Sequence, residues 1–238
     1  EAAFLDKITQ ALEYTSKNEA LLTLGISPTR PDTGYGYIHF EQEAIAGVHA
    51  VNRFMEKPVL EKAKEYLASG DYLWNAGIFI WSAQSIQNAF QDYAPAIASL
   101  FEKGNSIYNT PEEIGFIQEN YPNSPNISID YAILEKAMNV YTIPADIGWS
   151  DLGTWASLHE VLPKDANNNS KSIDHLHLEG TSNSIIHLPK GKAAVIKGLE
   201  DFIIVDDEKV LLIYPKSCEQ EIKVVAGVMV KEFGEEFL

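Results

Sequence analysis

The order of apolar and polar positions divides the chain into two textures. Phe4, Leu5, Ile8, Ala11 and Leu12 recur at helical spacing, which predicts an amphipathic helix at the start. The short apolar run Ala20 to Ile26 reads as a strand, followed by a turn-rich stretch from Ser27 to Gly34. Val48 to Met55 predicts another strand. After Pro58 a helical pattern through Leu60, Ala63 and Leu67 is closed by Ser69-Gly70. Gly77 to Trp81 is a buried-strand pattern, with Ser82 placed to cap a helix carrying Ile86, Ala89 and Phe90. Thr110-Pro111-Glu112-Glu113 combines a cap residue, a first-turn proline and a glutamate three residues on, a helix start. Ser128 is read as the cap of a helix through Leu134 and Ala137, and Val140 to Ile143 as a further strand. Alternation of this kind up to about residue 162 predicts an α/β layer.

Beyond it the texture changes. Lys164 to Ser170 is polar and reads as a linker. Short β-type runs then follow at 184–187, 193–196, 202–205, 210–214 and 222–230, punctuated by Gly191, Gly198 and Asp206-Asp207. The expected organisation is an α/β domain over 1–162 and a small all-β domain over 166–238.

Composition narrows the function classes. The 238 residues are 45% hydrophobic and 22% charged, a balance that permits one or two packed globular units. The net charge of −16 repels nucleic-acid backbones and anionic lipid, so neither is an expected partner. An anionic ligand would need local lysines or a metal against that field. Cys218 is the only cysteine, which fits a reducing cytoplasm, and no apolar run is long enough to span a bilayer. The expected location is cytoplasmic. No G-x-G-x-x-G or Walker-type loop occurs, so these residues carry no nucleotide-phosphate cradle of either kind. His175 and His177 would share one strand face, but no third zinc ligand accompanies them.

Four stretches could carry chemistry, and each has a plain structural reading beside the functional one. Thr33-Gly34-Tyr35-Gly36-Tyr37-Ile38 lets backbone approach a ligand, or is a tight turn entering a strand. Phe54-Met55-Glu56-Lys57-Pro58 ends a strand, where open α/β sheets place ligands. Its lysine suits a phosphate and its carboxylate suits sugar hydroxyls, unless the pair is only a solvated ion pair. In Trp74-Asn75-Ala76-Gly77 the amide of Asn75 could reach a polyol, or could mark a polar turn before a core strand. In Gly148-Trp149-Ser150-Asp151-Leu152-Gly153, Asp151 is either a ligand for Mg²⁺, a hard cation that prefers carboxylate oxygen, or a helix cap.

The order of these stretches says more than any one. Gly25 through Ile38, then Phe54 to Pro58, then Trp74-Asn75-Ala76-Gly77-Ile78-Phe79, then Ser128-Ile129-Asp130-Tyr131, then Gly148 to Gly153 resembles the bacterial mannose-1-phosphate guanylyltransferase family. The resemblance spans about residues 1–162. More loosely, the β-rich part is similar to that family's left-handed β-helix-like domain. It implies a Rossmann-like nucleotidyltransferase domain that makes GDP-mannose and pyrophosphate from GTP and mannose 1-phosphate. Residue by residue, it implies that Gly34, Tyr35 and Gly36 line the sugar-phosphate site. Glu56 would bind sugar hydroxyls, Lys57 the sugar phosphate and Asn75 the sugar, and Asp151 would hold Mg²⁺. Asp130 matches a family position near the site, with no role assigned.

The family's opening strand, its glycine-rich triphosphate loop and a second metal-binding aspartate have no counterpart in these residues. The resemblance therefore implies half a Rossmann-like sheet, no turnover by this polypeptide alone, and pairing into a homodimer across uncovered sheet surface. Two further readings stand beside it: a nucleotidyltransferase for another sugar 1-phosphate, and a non-catalytic sugar-phosphate-binding regulatory protein.

Overall fold

A computed structural model describes residues 1–207 and 209–237. The chain divides into two compact units, Glu1–Trp149 and Ser150–Leu238.

In the first unit, α1 (Ala2–Thr15) precedes β1 (Leu21–Ile26), β2 (Tyr37–Ile45) and β3 (Val48–Met55). Next come α2 (Leu60–Ser69), β4 (Tyr72–Trp81), α3 (Ala83–Tyr93), α4 (Pro95–Glu102), α5 (Glu113–Asn120), a π-helical turn (Asp130–Leu134) and β5 (Val140–Pro144). The expected α/β alternation holds. The strands of the expected half-sheet close on themselves. The five strands pair in the order β1-β4-β2-β3-β5, and β1 with β5 closes the ring. Only that closing pair is parallel. The β2–β3 hairpin makes the closure, because its far end bends over to pair His49 and Ala50 with Thr142 and Tyr141.

β1 is buried from Leu21 through Gly25, as a mainly apolar run at the centre of a sheet should be, with the polar Thr23 buried among its leucines. Leu21, Ile38, Phe54, Leu73 and Ile133 pack in one core cluster, and Leu22, Leu24, Ala11 and Ile143 in another. Ser82 caps α3 as expected, accepting a hydrogen bond from the Ser85 amide at 3.0 Å. Gly70 ends α2 in the left-handed conformation, φ 76°. The start signal at Thr110 is displaced. Glu113 does reach back, to the Asn109 amide at 2.8 Å, but the α-helix begins only at Glu113.

Two departures position the candidate site. β4 begins at Tyr72 rather than Gly77, and its pairing with β1 shifts register between Thr23 and Gly25. Over that step β1 advances from Thr23 to Gly25 while β4 runs from Phe79 back to Asn75. Gly77, at φ 68°, absorbs the bulge, and a bulge of this kind re-aims the side chains beside it. The expected helix after Ser128 is instead a π turn closed by Glu135 N donating to Asp130 O at 2.9 Å. It buries Ala132, Ile133 and Leu134 and leaves Asp130 half-exposed at its start.

The second unit holds α6 (Trp155–Val161), β6 (Ser170–Lys171), β7 (Leu176–Glu179), β8 (Ile185–His187), β9 (Ala194–Lys197), β10 (Phe202–Asp207), β11 (Val210–Pro215), a 3₁₀ turn (Lys216–Glu221) and α7 (Ile222–Phe233). The division thus falls ahead of residue 162. α6 belongs with the later residues, where the Ala156 amide donates to Glu219 at 3.0 Å and His159 bonds the Asn168 carbonyl at 2.9 Å. The strands stack mostly in parallel: β6 on β8 on β10, and β7 on β9. Asn168, Asn183 and Asp201 each adopt positive φ at a corner, and their side chains form a ladder from Asn168 to Asn183 to Asp201. The fully buried Asn169 ties the coils together, donating to Thr181 O and accepting from Ser184 N.

The strand expected at 222–230 is a helix. β-branched residues gave the strand signal, but Ile222, Val225, Ala226, Met229 and Val230 are the less exposed positions, and their spacing is helical.

Candidate functional site

Tyr35 and Gly36 lie on the approach to β2, Glu56 and Lys57 follow the end of β3, and Asn75 sits on β4. Sheet pairing brings them together, since Tyr37 stands opposite both Met55 and Trp74. Two backbone bonds tighten the junction: Lys57 N donates to Tyr35 O at 3.2 Å and Asn75 N to Gly36 O at 2.8 Å.

Gly36 has a steric reason to be glycine. A Cβ there would stand 2.6 Å from Glu56 Oε2 and 3.5 Å from Asn75 Cβ. The carboxylate of Glu56 therefore lies against bare backbone. Its side chain is 12% exposed, while that of its partner Lys57, 3.2 Å away, is 61% exposed. Burial raises the Glu56 pKa; Lys57 opposes the rise, and the nearby acids Asp130 and Glu135 add to it. Lys57 is held at φ 47°, a left-handed conformation that side-chain-bearing residues seldom adopt. Glu56 and Glu135 also border a cavity of about 480 Å³ that Arg53, Lys62 and Tyr66 help line.

Asn75 is anchored on its carbonyl side by Thr23 Oγ1 at 2.9 Å and Gly77 N at 3.1 Å. Its amide nitrogen faces Asp130 Oδ1 at 3.3 Å. The structure thus joins Asp130 to the group, a residue for which the sequence suggested proximity but no task.

Gly34 closes an Asx turn, its amide donating to Asp32 Oδ1 at 2.8 Å. Tyr35 is buried, its ring 4.9 Å from Trp74 and 5.5 Å from Trp149. Its backbone meets the site, and its ring forms part of an aromatic floor. Arg30 lies across that floor, 5.2 Å from the Trp74 ring and 5.7 Å from the Tyr35 ring, and is paired with Asp32 at 2.9 Å. Sequence reasoning gave Arg30 no part. Its one signal was position, five residues before Tyr35 in the same turn-rich stretch.

Asp151 belongs to the second unit. It is exposed, and its Oδ1 accepts from Gly153 N at 3.0 Å, an Asx turn followed by the true cap of α6, Thr154. The cap reading is therefore displaced by three residues. Among the described residues no group of three or more His, Cys, Asp or Glu is placed to hold a metal. A single exposed carboxylate still suits Mg²⁺ held chiefly by substrate phosphates and water, the usual manner for that ion.

A second cavity of about 480 Å³ lies among Phe90, Ile97, Phe101 and Tyr108. Its lining is mainly apolar, and none of the residues above borders it, so we place no chemistry there.

A turn-presented acid–base pair, a fixed amide and bare backbone at Gly36 thus meet on a strand-rich α/β framework. The nucleotidyl transferase family model matches residues 2–168, and the chain belongs to that family. It is 37% identical over 228 residues to the putative mannose-1-phosphate guanylyltransferase of Vibrio cholerae, covering 94% of this chain and 48% of that protein. It is 34% identical over 234 residues to the mannose-1-phosphate guanylyltransferase of Escherichia coli K12, again covering 94% and 48%. A crystal structure described as mannose-1-phosphate geranyltransferase from Thermus thermophilus superimposes with a TM-score of 0.80 at 26% identity, over 96% of this chain and 65% of that one. The chain spans about half the length of the curated relatives it matches.

Proposed function

We propose that the protein provides the sugar-phosphate side of an enzyme that joins mannose 1-phosphate to GTP, giving GDP-mannose and pyrophosphate. The observation that carries this reading is the Glu56–Lys57 pair. A buried carboxylate against Gly36 suits sugar hydroxyls, and beside it an exposed ammonium suits a phosphate. The names of the relatives supply the sugar and the base.

The reaction needs no general base, because the nucleophile is an anionic phosphate oxygen. That oxygen forms a bond to the α-phosphorus of GTP, and the bond from the α-phosphorus to the bridging oxygen breaks in line, releasing pyrophosphate. The obstacle is repulsion between two polyanions and their alignment. Lys57 offsets charge on the incoming phosphate, and Glu56 and Asn75 hold the sugar so that the attacking oxygen is aimed. Mg²⁺, with Asp151 as one ligand, would neutralise charge on the triphosphate when bound.

We read the second unit as β-helix-like. Ile185 pairs with Ile203, and Leu176 with Ala194, 18 residues on in each case, a spacing that hexapeptide repeats produce in three sides per coil. Among the described residues no helix is long and apolar enough to cross a membrane.

Tryptophan fluorescence tests the sugar assignment, since Trp74 and Trp149 pack against Tyr35. Titration with mannose 1-phosphate, and with glucose 1-phosphate as the rival, should show saturable binding that favours mannose 1-phosphate. Absence of a response from folded protein removes the reading.

Two substitutions probe the cradle. Gly36→Ala should weaken mannose 1-phosphate binding in the same titration about tenfold, the usual effect of losing one charge-assisted hydrogen bond. The clashing atom is the far end of a flexible side chain, so thermal stability should barely change. Unfolding at a much lower temperature would show that Gly36 serves packing instead.

Glu56→Gln should weaken sugar binding yet stabilise the fold at neutral pH. The folded-state pKa of Glu56 is raised, so its ionised form costs stability above that pKa. The penalty fades as pH falls through the folded value and is gone below the ordinary carboxylate range. The stability difference between variant and parent should therefore shrink on acidification. A difference that grows instead would reverse the assigned direction.

A further inference from the structure

Asn75 has a defined amide orientation. The Gly77 amide only donates, so the atom it meets at 3.1 Å is the side-chain carbonyl. Thr23, itself fully buried, places its hydroxyl on the same oxygen at 2.9 Å. The NH₂ group is left on the opposite side, where Asp130 Oδ1 stands at 3.3 Å. The backbone is tied as well, through Asn75 N to Gly36 O at 2.8 Å. One hydrogen of the amide goes to Asp130, and the second is the group that remains for a ligand oxygen.

We propose that Asp130 is a positioning residue for sugar recognition: presented by the π turn, it locks the Asn75 amide as a hydrogen-bond donor toward a sugar hydroxyl and does not bind the sugar itself. This rests on the sugar-phosphate reading of the site. It explains why a π turn, not a regular helix, precedes β5. The wider turn, closed from Glu135 N to Asp130 O, carries Asp130 at its first position while burying Ala132, Ile133 and Leu134.

The test is a double-mutant cycle read by calorimetric titration with mannose 1-phosphate. Asp130→Ala should weaken binding about tenfold, as loss of a hydrogen bond to a charged group does. Asp130→Asn should stay within about threefold of the parent, because an amide there can turn its own oxygen to Asn75. In an Asn75→Ala background, Asp130→Ala should cost nothing further. An equal loss in both backgrounds would mean Asp130 contacts the sugar directly and would overturn the inference, as would Asp130→Asn binding as poorly as Asp130→Ala.

A ligand-free measurement separates this from the assignment of function. The side-chain amide signal of Asn75 in a ¹⁵N spectrum, identified by its absence in Asn75→Ala, should show one slowly exchanging hydrogen. Asp130→Ala should abolish that protection and Asp130→Asn should keep it. If no sugar phosphate binds, the proposed function fails, and the amide signal still decides the role of Asp130.

Discussion

Asp151→Asn should cut Mg²⁺-dependent turnover by about a thousandfold, about 4 kcal/mol of barrier, while leaving the fold intact. The Asx turn uses Oδ1 as an acceptor for Gly153 N, and an asparagine offers the same oxygen in the same place. Leu152, at φ 50°, and the Thr154–Ser157 capping box that follows are not altered. What changes is the charge. A neutral amide is a poor ligand for a hard cation whose other partners are phosphate oxygens and water. The proper assay is steady-state turnover against Mg²⁺ concentration in an enzyme preparation containing this chain and competent for GTP. The variant should need more metal and still reach a low plateau. Turnover within about threefold of the parent at all Mg²⁺ levels would release Asp151 from any part in the metal chemistry.

The elements that could be read from the chain were those whose burial follows one period. β1 is mainly apolar because its leucines pack in core clusters with Ala89 of α3 and Ala11 of α1, and α3 announces itself by Ser82 and its apolar face. Elements shaped by tertiary contacts were not legible. No local signal says that the β2–β3 hairpin bends back to β5, because that closure depends on residues some 90 positions apart, such as His49 and Thr142. α7 was misread since its valines favour strands while their spacing favours a helix. At the site, the ordered blocks brought forward Gly36, Glu56, Lys57 and Asn75, and the fold gathers these four. Arg30 and Thr23 escaped because their contributions lie in partners: the rings of Tyr35 and Trp74 for one, the Asn75 carbonyl for the other. Partners remote in sequence leave no spacing to read.

In an enzyme preparation containing this chain and competent for GTP, Lys57→Ala should raise the KM for mannose 1-phosphate about a hundredfold with a smaller change in kcat, the signature of a group that binds the incoming phosphate before and during reaction. Alanine keeps a Cβ, so the left-handed backbone at φ 47° stays as strained as in the parent. Lys57→Gly removes the same ammonium and relieves that strain, and should be more stable than Lys57→Ala by about 1 kcal/mol in thermal unfolding. The two variants should nevertheless bind mannose 1-phosphate equally poorly, since the missing charge is common to both. Glu56 supplies a further readout. Lys57 holds the Glu56 pKa down against burial and the neighbouring acids Asp130 and Glu135. Without that ammonium the Glu56 pKa should climb further, so the residual sugar-phosphate affinity of Lys57→Ala should fall away at a higher pH on acidification than in the parent. A KM for mannose 1-phosphate within about threefold of the parent, with an unchanged pH profile, would reduce the Glu56–Lys57 pair to a surface ion pair and leave the sugar-phosphate site to be sought elsewhere in the chain.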